Sequence, residues 1–244
     1  MSNSVINSKL LETIPNIRHG FMTRDYGEDY DKVADHFNLA KSSHLIPLKQ
    51  VHGKTIIPIK DIEQCESHQG NNRYEADGLL TATAKIGLVI RTADCTPILF
   101  ASKCGTLVGG VHAGWRGAVG EIIETMIEAF DQNSFKPNQI VAAIGPTIAQ
   151  KSYEVSPEFI DNLLNLNPAH DMFLKASNNE GHALFDLPGF GALKLKNLGV
   201  EDIDLMDIDT YSNEDILFSH RRATHRGTAD QEGRQVSVIM IDKS

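Results

Sequence analysis

The chain has 244 residues, 41% of them hydrophobic and 23% charged, enough to bury a core without covalent staples. A formal net charge of -9 argues against general affinity for nucleic acid or an anionic membrane surface, whose phosphates are held mainly by surplus Lys and Arg. Three cysteines, an odd number with Cys65 and Cys104 in polar runs, give no disulfide framework; without a leader-like or membrane-length apolar block, the reading is a cytoplasmic protein.

The middle of the chain alternates short β-rich runs with turn residues. TIIPI (55–59), ADGLLTA (76–82), IGLVIRTADC (86–95), PILFA (97–101) and TLVGGVHAG (106–114) are apolar without clean alternation, which predicts strands covered on both faces. Pro97 and the glycines favour strand over buried helix. AVGEIIETMIEAF (118–130) places Ile122, Ile123, Met126, Ile127 and Phe130 on one stripe and Glu121, Glu124 and Glu128 elsewhere, the pattern of an amphipathic helix. QIVAAIGP (139–146) reads as a strand, and Ser156, Pro157 and Glu158 start a helix that runs into EFIDNLLNL. Asp186 and Pro188 start another, PGFGALKLKNL, which stops at Gly199, a residue able to take the left-handed conformation after a helix. IDLMDID (203–209) and VSVIMID (236–242) close the chain as strands. No repeat, low-complexity tract or long linker divides residues 1–244, so one mixed α/β unit is expected.

Three side chains carry the chemistry. His52 in QVHG, Cys95 in TADCTP and His112 in GGVHAGWRG offer two imidazoles and one thiolate, each in a glycine- or proline-marked stretch beside a strand-like run. Three such ligands are one short of a closed tetrahedral zinc site and leave a position for water or substrate. Their separations match no zinc finger, so tertiary folding has to assemble them. Taken singly, His112 suits a hydrogen-bonded structural role and Cys95 a small buried hydrophobe. Their co-occurrence favours ligands, and Asp94 beside Cys95 adds a carboxylate that can orient a ligand or move a proton. Arg116 precedes a helix start, where backbone amides and the positive helix end favour an anion; the surrounding glycines fit a plain tight turn equally well. FSHRRATHRGTADQEGRQ carries Arg221, Arg222, Arg226 and Arg234 against Asp230 and Glu232, which describes either an anion site or a solvated basic loop.

QVHG, ADGLLTA, TADCTPILF, GGVHAGWRG, AIGPTIAQKSYEV and FSHRR with a later GRQ, in this order, resemble the YfiH-like family, once labelled laccase-like or polyphenol oxidase and now described as multifunctional purine nucleoside enzymes. The resemblance spans roughly the whole chain. It implies an α+β fold of mixed sheets flanked by helices, of YfiH-like or CNF-like type, and a zinc-binding triad at His52, Cys95 and His112. It implies phosphorolysis of adenosine, inosine and S-methyl-5'-thioadenosine, and deamination of adenosine, with purine nucleosides and phosphate as partners and a homodimer left open. HGFMTRDYG resembles the family's opening motif and would put Arg24 near the substrate, with Arg221 or Arg222 beside it. The chain departs from the family where Asp209 and Thr210 stand in place of Cys-Thr, in the longer stretch from Arg222 to Gly233, and around Asp35 and His36.

Zinc accounts for deamination directly, by acidifying water beside the amino-bearing purine carbon, with Asp94 as the proton-carrying carboxylate. Phosphorolysis needs arginines to hold phosphate while positive charge builds on the sugar. Two other readings share the same residues. A His, His, Cys set also describes a copper site, although the chain lacks the His-x-His pairs of a multicopper oxidase. A metal-free cysteine hydrolase or deamidase would use Cys95 as nucleophile and His112 as base.

Overall fold

Strands that are apolar on both faces have to be covered twice, and the chain meets this by stacking two sheets and placing helices outside them. The computed structural model describes residues 5–243. A six-stranded sheet runs in the order Asp202–Leu205, Ile140–Ile144, Thr96–Ser102, Val108–Ala113, Gly78–Thr81 and Ile56–Ile59. A five-stranded sheet has the order Val5–Ile6, Ile17–Met22, Gln235–Ile241, Gly87–Thr92 and Leu45–Pro47. Both mix parallel and antiparallel pairs. A small third sheet joins Glu154–Val155, Ala183–Phe185 and Leu174–Ala176.

Two-sided burial is visible within single strands. Ile98 and Phe100 share a cluster with Met126 and Phe130 of the helix Ile122–Gln132, whereas Leu99 and Ala101 cluster with Phe21, Leu88 and Ile239 of the five-stranded sheet. The outer face of that second sheet, with Met22, Val89, Val238 and Met240, packs on Val33, Ala34 and Phe37 of the helical segment around Tyr30–His36. The result is a layered α+β fold of mixed sheets, as the family resemblance implies. Among the described residues no helix is long and apolar enough to cross a membrane.

Two capped helices begin where the sequence places them. Ser156 accepts from the Phe159 amide at the head of Pro157–Leu166, and Asp186 accepts from the Gly189 amide at the head of Leu187–Asn197. Gly199 follows the latter at φ 90°. The amphipathic helix differs from its expected start. A separate short helix spans Trp115–Val119, and Glu121, left-handed at φ 73°, breaks the chain before Ile122–Gln132 begins. A left-handed residue cannot continue a right-handed helix, and the break turns Ile122 and Ile123 down onto the sheet. Asp207, at φ 49°, likewise falls after the final strand of this sheet, Asp202–Leu205, which is shorter than IDLMDID. At Gly109 a Cβ would lie 2.7 Å from Met126 Sδ, so the missing side chain is what lets this helix settle close to the sheet.

His19 lies buried in Ile17–Met22 and accepts the Ser8 amide through Nε2 at 2.8 Å. Burial holds its pKa down to about 4, against smaller opposing effects of the Glu12 and Asp204 carboxylates. The folded chain therefore keeps a neutral ring that the unfolded chain would protonate below its ordinary value of 6.5. This contribution, roughly 3 kcal/mol, is present above pH 6.5 and is lost as pH falls toward 4. Denaturant melts across this window should show a smaller loss of stability for His19→Gln than for the unmodified protein; parallel curves would remove His19 as the cause.

Candidate active site

Strand register brings the proposed ligands together. The antiparallel pair Thr96–Ser102 and Val108–Ala113 sets Thr96 opposite Ala113 and Pro97 opposite His112, so Cys95, one residue before its strand, comes level with Gly114. Gly78 pairs with Val111, which carries Asp77 alongside His112. The Asp77 carbonyl accepts the His112 amide at 2.8 Å. His52 arrives on a loop from the other side. Its ring and that of His112 lie 4.7 Å apart and 77° to each other, and the available ligand atoms of His52, Cys95 and His112 all fall within 4.8 Å of one another.

Asp77 is fully buried and holds this arrangement. Its carboxylate accepts three consecutive loop amides, Val51 at 3.1 Å, His52 at 3.0 Å and Gly53 at 2.7 Å, and also His112 Nδ1 at 2.8 Å. Burial alone would push its pKa up; these donors outweigh burial and hold it down. With Nδ1 committed to Asp77, His112 has Nε2 left for a ligand. Burial would likewise raise the Cys95 thiol, but hydrogen bonds and charge from His112 and His52 bring it below the ordinary thiol value. The thiolate is the form that binds metal or attacks carbon. His52 sits at φ 60° and Asp94 at φ 92°, backbone conformations that store strain at either side of the group. A Cβ on Gly114 would stand 3.0 Å from His52 Cδ2 and 3.1 Å from Cys95 Sγ, so only glycine leaves this space open.

The three residues could hold a metal ion: two imidazoles, one favoured thiolate, and a carboxylate that orients one of the rings. His52 and Cys95 line a cleft of about 170 Å³ whose walls include Trp115, Arg116, Tyr153, His220 and Arg221. Each arginine lies against an aromatic face, Arg116 over Trp115 at 4.8 Å and Arg221 over Tyr153 at 5.2 Å. Trp115, Tyr153 and Arg221 also border a wider open groove with Glu154, Phe159 and His182.

The other expected residues are distributed differently. Asp94 borders the cleft, but both carboxylate oxygens are occupied: Oδ1 accepts from Thr210 Oγ1 and Oδ2 from the Arg221 amide, each at 2.6 Å. Arg222 turns away from the cleft lining. It is buried, and its terminal nitrogens donate to the carbonyls of Thr210, Tyr211 and Leu217. Arg24 borders a separate depression, donating to the Glu214 carbonyl and lying over Phe218. Arg226, paired with Glu214, borders the same depression as Arg24 and Arg222, so the basic C-terminal run is split between that depression and Arg221 in the cleft. Arg116 lies within the helix Trp115–Val119 and does not precede it; that helix is a single short turn, so positive charge in the cleft comes from the guanidinium and not from a long helix. Asp209 ties two loops together, accepting from the Ala149 and Tyr211 amides and from the Ser152 and Ser212 hydroxyls. Asp77 and His220 were not singled out by sequence reasoning, although ADGLLTA and FSHRR contain them.

The model of a family described as multi-copper polyphenol oxidoreductase laccase matches residues 22–242. The chain belongs to this family. A purine nucleoside phosphorylase of Rickettsia conorii is 37% identical over 185 residues, 76% of this chain and 73% of the relative. The Escherichia coli purine nucleoside phosphorylase YfiH is 31% identical over 176 residues, 72% of this chain and 67% of the relative. The crystal structure of YlmD from Geobacillus stearothermophilus aligns with a TM-score of 0.83 at 26% identity, covering 95% of this chain and 94% of the other. The YfiH-like resemblance and its fold are thus confirmed.

Asp77→Asn keeps the shape of the carboxylate but removes its charge and one acceptor. It should weaken binding of any metal held by the three residues about 10–100-fold in competition with a chromophoric chelator. Asp77→Ala, which strands three loop amides, should unfold at markedly lower denaturant concentration. Unchanged metal affinity in Asp77→Asn would show that the carboxylate does not set the geometry of the three residues.

Proposed function

We propose that this protein is a zinc-dependent purine nucleoside enzyme, cleaving adenosine, inosine and S-methyl-5'-thioadenosine with phosphate and deaminating adenosine. The observation that carries the reading is the convergence of His52, Cys95 and His112 at a cleft walled by aromatic faces and two arginines. The relatives named purine nucleoside phosphorylase support the substrate class.

His52, Cys95 and His112 would hold the ion. Bound zinc supplies Lewis acidity, polarising an oxygen or making water acidic near neutral pH. The protein's own groups supply the rest. Trp115 and Tyr153 offer flat apolar surfaces suited to a purine or the sugar edge. Arg116 and Arg221, already seated over these rings, carry guanidinium forks that fit the oxygens of phosphate, and their charge favours its approach. Asp94 acts as a positioning residue, because its oxygens fix Thr210 and the amide of Arg221.

A second reading has a specific observation behind it. Cys95, His112 and Asp77 are also arranged as a nucleophile, a base and the carboxylate that orients the base, as a metal-free cysteine hydrolase requires. His52 has no part in that scheme, whereas a metal site uses it, and this favours the ion. Copper remains the other candidate ion, given the description of the family.

Purified protein should carry about one zinc per chain, release hypoxanthine from inosine only when phosphate is present, and release ammonia from adenosine. Cys95→Ser should lose the metal and at least a hundredfold of both activities. Activity that survives exhaustive chelation but disappears on alkylation of Cys95 would replace this reading with the hydrolase. Copper in the metal analysis, with turnover of a phenolic substrate, would replace it with the oxidase.

A further inference from the structure

Phosphorolysis of a purine nucleoside needs a proton donor, because the departing base otherwise leaves as an anion. The groups bordering the cleft narrow the choice. His52 and Cys95 are spoken for as ligands, and both Asp94 oxygens already accept hydrogen bonds. Arg116 and Arg221 are guanidinium groups, suited to holding an anion and not to giving up a proton. Burial pushes the Tyr153 phenol well above its ordinary value, which keeps its proton firmly bound.

His220 remains. It borders the cleft and is exposed, and among the described residues its ring makes no hydrogen bond. Its backbone, by contrast, is fixed from both sides. Ser219 donates its amide to Glu232 and caps the helix His220–His225 through its hydroxyl, while the next amide, of Arg221, is held by Asp94. Thr224 Oγ1 donates to the His220 carbonyl at 2.8 Å. An imidazole on a clamped backbone, with both ring nitrogens uncommitted, is suited to giving and regaining a proton.

We infer that His220 is the general acid that protonates the departing purine, an assignment that rests on the nucleoside reading above. The bond from the sugar C1' to N9 breaks with its electron pair moving into the purine, and a phosphate oxygen forms the new bond to C1'. The imidazolium proton passes to N7 of the base. The proton of hydrogen phosphate, shed as the sugar phosphate forms, restores His220, so charge and atoms balance.

The test compares zinc-loaded wild-type protein with His220→Gln and His220→Asn on two substrates, inosine and 7-methylguanosine. The purine of 7-methylguanosine already carries a positive charge and departs without a proton. The inosine kcat should fall about 10²–10⁴-fold in both variants, while 7-methylguanosine turnover stays within about threefold and zinc content is unchanged. Equal losses on both substrates, or no loss on either, would overturn the assignment. If wild-type protein cleaves neither nucleoside, the nucleoside reading itself fails and takes this assignment with it; wild-type turnover with insensitive variants rejects His220 alone.

Discussion

One buried carboxylate governs the geometry of this protein's candidate centre. Asp77 accepts the amides of residues 51, 52 and 53 and a hydrogen bond from Nδ1 of His112, so a loop and a strand end are referred to a single point. A buried charge without partners would cost several kcal/mol; four donors, one of them an imidazole, offset that cost. The same hydrogen bonds hold the left-handed His52 and leave Nε2 as the uncommitted ring nitrogen of His112. Lowering of the Cys95 thiol follows, because it depends on the two rings that Asp77 positions.

The stacked sheets make this possible by rigidity. Thr96–Ser102 and Val108–Ala113 are buried along their whole length and paired in register, so the residues at their ends inherit positions defined to the tolerance of a packed core. Cys95 and His112 are such residues. The strained conformations of His52 and Asp94 lie next to this frame, where surrounding hydrogen bonds can sustain them. On the opposite wall, Asp94 passes the same order on to the C-terminal helix through the Arg221 amide. One side of the cleft is therefore organised around Asp77 and the other around Asp94.

This division assigns different work to adjacent residues. Arg221 lies over Tyr153 in the cleft, while its neighbour Arg222 is consumed by three backbone carbonyls that hold the loop 210–217. Asp209 and Thr210 show the same contrast: the first staples loops through hydroxyls and amides, and the second donates to Asp94. Where the family resemblance led to an expected Cys-Thr, this chain has built a polar tie, and its role is structural support behind the cleft.

Much of the architecture was legible in the sequence because burial leaves a mark on composition. Doubly covered strands read as unbroken apolar runs, the stripe from Ile122 to Phe130 marks a helix face, and Ser156, Asp186 and Gly199 mark helix ends. The three ligand residues were legible too, since thiol and imidazole are scarce chemistries and each stood beside glycine or proline. Partnership was not. Asp77 looks like any turn aspartate until register sets it beside His112, and Arg221 and Arg222 are indistinguishable until a helix turn aims one at the cleft and the other at carbonyls. Residue type determines what a side chain is able to do, and that is local information; which groups meet, and which are already satisfied, depends on strand pairing between distant segments, which only the tertiary structure decides.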